Sequence, residues 1–239
     1  MRILAIDTSN QTLSVAVCDG QKLLGEYTST VKKNHSLTLM PAIAGVMENC
    51  QLEPKDLDRI IVAQGPGSYT GLRIGVTAAK TLAYTLKKEL AGVSSLLTLA
   101  ANCVNKNQLI VPLFDARRQN VYTGACKQIN GRWETVLSDR HIAMDAWLEQ
   151  LSSYEEVYFV GEDVEKFRSL IEEQLPTAVI NTIPQWQNPN AFVLAQLGLA
   201  VKPEEDIHGF LPDYLKRVEA EENWLKEHSV KDEDYVEKI

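Results

Sequence analysis

Gly65-Pro66-Gly67-Ser68-Tyr69-Thr70-Gly71-Leu72-Arg73-Ile74-Gly75-Val76-Thr77 follows the apolar run Arg59–Ala63 and opens a helical pattern that reaches about Lys88. A strand, a glycine loop and a helix in that order make the usual layout of an anion site, because the first N–H groups of a helix lack internal partners. The nucleotide motifs fail, however. A Walker A loop needs its second Gly followed by Lys, and the dinucleotide fingerprint needs Gly at position 70, where this chain has Thr. What remains is the helix itself. Leu72, Val76, Ala79, Ala83 and Leu86 form one apolar stripe. Gly71, Gly75 and Ala78 form a second, small-residue face. Each helical Gly costs about 1 kcal/mol relative to Ala, so something must pack closely on that face. An element of the same domain and a helix of another chain both fit.

Outward from that stretch, the pattern reads as a repeated unit. Arg2–Asp7 is a buried strand ending in an acid, and the segments 12–18 and 22–29 continue it as an antiparallel meander. Residues 34–50 are helical and apolar nearly all round, with no charge between Ser36 and Met47 and with Pro41 inside. After the strand at 59–64, the long helix and a short helix at 95–103, a second set begins. Its strands fall at 109–114, 120–127, 132–137 and 156–160, with helices near 144–151, 163–174 and 191–200. Two βββαβα units, the second reduced, predict a two-lobed α/β fold of the ribonuclease H-like, actin-like ATPase (ASKHA) kind. The expected division is a first lobe over 1–105, a smaller lobe over 106–205 and an acidic tail over 206–239, helical across Glu219 to Lys226. In such a fold the acids ending each first strand, Asp7 and Asp115, face the cleft between lobes.

Composition narrows the function. The chain has 239 residues, 45% hydrophobic and 23% charged, as soluble globular proteins do. No apolar run approaches the ~20 residues of a membrane span, and Met1-Arg2 leads straight into strand sequence, so the expected location is the cytoplasm. Cys18, Cys50, Cys103 and Cys126 are scattered, as are the four His, which argues for reduced thiols and against a sequence-local metal site. The net charge is -8, and from Pro203 onward twelve Asp/Glu face five Lys/Arg. An acidic tail on a near-neutral body argues against direct nucleic-acid binding, which needs clustered cations.

Ile6-Asp7-Thr8-Ser9, His35-Ser36-Leu37-Thr38-Leu39-Met40-Pro41-Ala42-Ile43, Gly65 to Gly75, and Phe114-Asp115-Ala116-Arg117-Arg118-Gln119-Asn120-Val121-Tyr122 together resemble the TsaB family, also called YeaZ. Pro212-Asp213-Tyr214-Leu215-Lys216-Arg217 with Ala220-Glu221 resembles the family's C-terminal motif. The resemblance is densest over residues 1–125. It implies the non-catalytic dimerization subunit of the bacterial tRNA N6-threonylcarbamoyladenosine transferase. The catalytic paralogue, TsaD, modifies adenosine 37 of tRNAs that read ANN codons and carries an H-x-x-x-H metal motif. Here Ser95 and Leu99 occupy the matching positions and supply no imidazole.

The resemblance further implies that the helices after the first meander and after the glycine loop form the surface that pairs with TsaD, or with a second copy when TsaD is missing. His35, Leu39, Ile43, Val46, Met47, Gly71, Leu72, Arg73, Gly75, Val76, Ala78 and Lys80 are the expected interface residues. Other implied partners are the P-loop ATPase TsaE, and tRNA through the complex alone. No cofactor is expected for the chain itself; a nucleotide at the interface with a partner stays open. Asp7, Thr8, Ser9 and Asp115 are vestigial cofactor positions. Asp7 either holds a hydrated metal or caps the Thr8–Gln11 turn, the latter favoured. Ser9 stands where kinases of this fold have Gly. Asp115 and Arg117 are remnants of a phosphate-contact strand or pair with each other to fix the hairpin. The rival reading is an enzyme acting alone, a phosphotransferase or a metallopeptidase-like protein.

Overall fold

The computed structural model describes residues 1–31, 34–104 and 107–216. The tail helix expected over Glu219 to Lys226 lies outside them. Strand β1 (Arg2–Asp7) pairs antiparallel with β2 (Leu13–Asp19), and β2 with β3 (Lys22–Ser29). Helix α1 (His35–Asn49) then crosses to β4 (Arg59–Gly65), which runs parallel to β1. Helix α2 (Tyr69–Leu86) leads to β5 (Glu89–Ser94), parallel to β4, giving the order β3-β2-β1-β4-β5.

A short helix α3 (Ser95–Ala100) bridges to the second sheet. There β6 (Leu109–Asp115), β7 (Asn120–Ile129) and β8 (Arg132–Ala143) form the meander. Helix α4 (Met144–Leu151) precedes β9 (Val157–Val160), and α5 (Arg168–Gln174) precedes the two-residue β10 (Val179–Ile180). The order β8-β7-β6-β9-β10 repeats that of the first sheet. The chain therefore has the duplicated, two-lobed actin-like architecture expected from its repeat.

The first sheet is apolar on both faces, which is why β1 and β4 read as continuous hydrophobic runs. One face, with Leu4, Ile6, Val15, Ile60 and Val62, takes Leu39, Ile43, Val46 and Met47 of α1 and Val76, Ala79 and Ala83 of α2. The opposite face, with Ile3, Ala5, Ile61, Ala91 and Val93, takes Ala191, Leu194 and Ala195 of helix α6 (Ala191–Leu199). This corrects the expected boundary. Residues 191–216 leave the second lobe and return to the first, because α6 is the cover its sheet lacks. Arg59 fixes the return: its guanidinium donates to the carbonyls of Gly198 (3.0 Å) and Val201 (3.2 Å) and, through Nε, to Glu89 (2.7 Å). A cation on the last carbonyls of a helix also complements the helix dipole.

Residues 203–216 form a strap over the first lobe. Glu204 N donates to Leu90 O and Asp213 N to Gln64 O, both at 2.8 Å, while Phe210 is buried against Gly92. Among the described residues no disulfide joins the four cysteines, and burial pushes the Cys18 and Cys126 thiols up to about 12. No helix among the described residues is long and apolar enough to cross a membrane.

Candidate functional site

The glycines of the opening stretch face inward. The Thr8–Ser9 turn, which leaves β1, lies directly on the start of α2. A Cβ on Gly67 would collide with Ser9 O, one on Gly71 with Thr8 O, and one on Gly75 with Thr8 Oγ1. Ser68 N donates to Ser9 O (2.7 Å), Thr8 Oγ1 donates to Gly71 O (2.7 Å), and Ser68 caps α2 by accepting from Gly71 N (3.3 Å). Of the two neighbours open to the small-residue face, the same domain supplies it. Gly71 and Gly75 are buried, as are Leu72 and Val76 in the stripe beside them, and none of the four is offered to another chain.

Asp7 sits beneath that turn, fully buried. Its Oδ1 accepts from Ser9 N (2.8 Å) and Ser9 Oγ (2.7 Å), while Oδ2 has no partner. Burial pushes the carboxyl up to about 6, against the pull of the Ser9 bonds and the His35 charge. The carboxylate thus serves the turn. Thr8 is sealed under α2, and Ser9, although buried, contributes to the wall of the cleft.

That cleft, about 700 Å³, runs between the lobes from Ser9 and the Gly67–Thr70 loop to Asp115, Arg117, Tyr122 and Lys166. Asp115 Oδ1 accepts from Arg117 N (2.8 Å), so the two fix the hairpin through backbone. Its Oδ2 meets Lys166 Nζ at 2.7 Å, and the same ammonium lies 2.8 Å from Asp163 Oδ1. Burial raises the Asp115 pKa, but the Lys166 bond and the Arg117 N–H outweigh it and hold the carboxyl below its usual range. Asp115 and Asp163 thus face a built-in cation. Among the described residues no group of three His, Cys, Asp or Glu is placed to hold a metal. Ser95 and Leu99 are interior, the Ser95 hydroxyl accepting from Gly65 N at 3.1 Å.

A second concavity lies between α1 and α2. It is a groove of about 550 Å³ lined by Ser36, Leu39, Met40, Tyr69, Thr70, Arg73, Ile74, Thr77, Ala78, Thr81 and Leu82, mostly apolar and open to solvent. Met40, 48% exposed, stands on its rim, and Leu37, 73% exposed, lies on the same helix. Of the residues expected at an interface, Arg73 and Ala78 line this groove and Leu39 floors it. Ile43, Val46 and Met47 point into the sheet instead. Pro41 sits within α1, which continues unbroken around it. The His35 ring lies 2.9 Å from Asn10 O through Nε2 and ties the start of α1 to the first lobe. Lys80 directs its ammonium to the strap, donating to His208 O (2.7 Å) and Phe210 O (2.6 Å). Met40, Tyr69, Ile74, Thr77, Thr81 and Leu82 were not singled out. The signal on α2 was the spacing Thr70, Ile74, Thr77, Thr81, two residues out of step with the buried stripe, which at about 100° per residue is the opposite face of the helix.

The sequence is 46% identical over 228 residues to the tRNA threonylcarbamoyladenosine biosynthesis protein TsaB of Bacillus subtilis, covering 95% of this chain and 99% of that protein. The chain belongs to the TsaB family. The TsaB of Escherichia coli is 31% identical over 136 residues, 56% of this chain and 58% of its own. A family model described as TsaD, tRNA N6-adenosine threonylcarbamoyltransferase, matches residues 22–224, so this TsaB protein carries the transferase-family domain across both lobes. In fold it resembles YeaZ from Pseudomonas aeruginosa, with a TM-score of 0.72 at 22% identity over 90% of this chain and 99% of that one.

Proposed function

We propose that this protein acts as a non-catalytic subunit in tRNA threonylcarbamoyladenosine biosynthesis, docking its α1–α2 groove onto a TsaD-type transferase. A part in that biosynthesis follows from membership of the TsaB family; the subunit role is our reading. The observation that carries it is the groove itself, an open, mostly apolar trough rimmed by the exposed Met40. Unbranched methionine adapts to a partner's contours, and apolar area of this kind marks interaction sites. In this reading the chain transfers no group and needs no cofactor. It meets tRNA and a TsaE-type ATPase only within the complex, pairs with a second copy when the transferase is missing, and works in the cytoplasm. Any nucleotide near it belongs to the junction with the partner.

The interior use of Ser95 and Leu99, where the transferase motif would have imidazoles, supports the inert role. Lys166 between Asp115 and Asp163 supports it too, by occupying the point in the cleft where two carboxylates converge. The test is reconstitution. The transferase with this chain should modify tRNA, this chain alone should not, and a variant with the groove blocked should fail to stimulate. Modification by this chain alone would refute the reading.

A further inference from the structure

Among the described residues Arg73 is the one cation in the lining of the α1–α2 groove, and that lining holds no carboxylate. The Arg73 side chain is exposed, and among the described residues its guanidinium makes no ion pair and no hydrogen bond. What it meets is the Tyr69 ring, one turn back on the same face of α2, with the centroid 5.6 Å away. Tyr214 of the strap backs that ring, the two centroids 4.7 Å apart. Burial and Tyr69 raise the pKa of the Tyr214 hydroxyl, and the Arg73 charge pulls against them, so the cation lies within electrostatic reach of both rings. An arginine steadied in this way loses less freedom on pairing, and its planar fork takes a carboxylate through two parallel hydrogen bonds.

We propose that Arg73 sets the groove's choice of partner: it receives a carboxylate presented by the docked transferase, and it disfavours pairing of the groove with a second copy. The proposal deepens the docking reading and rests on it. When two copies pair through one face, the interface is isologous and each lining meets its own copy. Neither lining supplies a carboxylate, so both Arg73 side chains lose water without gaining a counter-ion. Self-pairing still buries the apolar trough, but it carries two uncompensated charges. A partner with a carboxylate placed at Arg73 carries none. Specificity of this kind is a difference between two affinities, and it comes as much from the repulsive element as from the attractive one.

The test compares two equilibria in the full chain and in Arg73→Met, which keeps an unbranched stem beside Tyr69. Binding to the TsaD-type subunit is measured by isothermal titration calorimetry, and self-association by sedimentation equilibrium. Both are run at about 0.1 M and about 1 M NaCl, between which the screening length falls from about 10 Å to about 3 Å. Arg73→Met should weaken the complex with the transferase about tenfold and tighten self-association about threefold. Added salt should weaken the transferase complex of the unmodified chain several-fold more than that of Arg73→Met. An unchanged transferase affinity, self-association that weakens along with it, or equal salt dependence in the two proteins overturns the proposal. Met40→Glu/Thr77→Arg separates this claim from the one beneath it. If that variant binds the transferase as well as the unmodified chain does, the groove is not the docking surface and both claims fall. If it does not bind, while Arg73→Met binds with unchanged affinity, the role of Arg73 alone falls.

Discussion

Thr8 Oγ1 donates a 2.7 Å hydrogen bond to the carbonyl oxygen of Gly71, sixty-three residues away in sequence, and the same hydroxyl lies against the bare Cα of Gly75. This contact joins the turn after β1 to the helix after β4, and it explains why a helix carries two glycines. In an exposed helix, Gly→Ala stabilises by about 1 kcal/mol. Here the sign should reverse. A methyl at position 75 must push Thr8 off Gly71, so Gly75→Ala is expected to cost about 1–3 kcal/mol, the range for overpacking. Urea denaturation of the two proteins measures it, and a stabilised variant would contradict the contact.

Asp7 gives a pH signature. Its pKa in the folded protein is pushed up to about 6 from the ordinary 3.8, chiefly by burial. Between those values the folded state binds more protons at this site than the unfolded state, so the contribution to stability falls as pH rises through the window. The loss amounts to about 3 kcal/mol by pH 7. Asp7→Asn keeps an oxygen for the Ser9 bonds and cannot ionise. Stability measured from pH 4 to 7 should therefore fall more steeply in the unmodified chain than in Asp7→Asn. Parallel profiles would show that Asp7 titrates normally.

Lys80 is expected to hold the strap rather than a partner. Replacing it with Met keeps the aliphatic stem and removes two charge-assisted bonds, to His208 O and Phe210 O, each worth about 1.5–3 kcal/mol when well formed and less where solvent screens them. Limited proteolysis should then cut within 203–216 several-fold faster, while circular dichroism stays unchanged. An unaltered cleavage rate would mean that Phe210 and Tyr214 suffice to anchor the strap.

Much of this was legible in the chain. The acids closing β1 and β6, the two meanders and the buried stripe of α2 follow from period and composition, which are local. What escaped depends on partners far off in sequence. Glu89-Leu90-Ala91-Gly92-Val93-Ser94 carries no element in the reading of the sequence above, yet it is a strand whose glycine, a poor strand residue in itself, leaves room for the Phe210 ring. The return of α6 is set by Arg59, more than 130 residues earlier. The small-residue face of α2 was visible, but only the position of Thr8 shows which neighbour it serves. Likewise, an all-apolar helix such as α1 does not declare its outer face. Leu39, Ile43, Val46 and Met47 look no more buried in the sequence than Met40 or Leu37.

That distinction decides how the central claim is tested. Gly75→Arg or Val46→Glu strikes buried packing and would abolish association by unfolding the chain. Met40→Glu and Thr77→Arg lie on the exposed rims of the groove, where substitutions change stability by about 0.5 kcal/mol or less. The decisive measurement is size-exclusion chromatography with light scattering on the TsaD-type subunit mixed with the unmodified chain or with the Met40→Glu/Thr77→Arg variant. The account predicts a heterodimer with the former and two separate subunits with the latter, at unchanged thermal stability. A complex formed equally well by the double variant would contradict it.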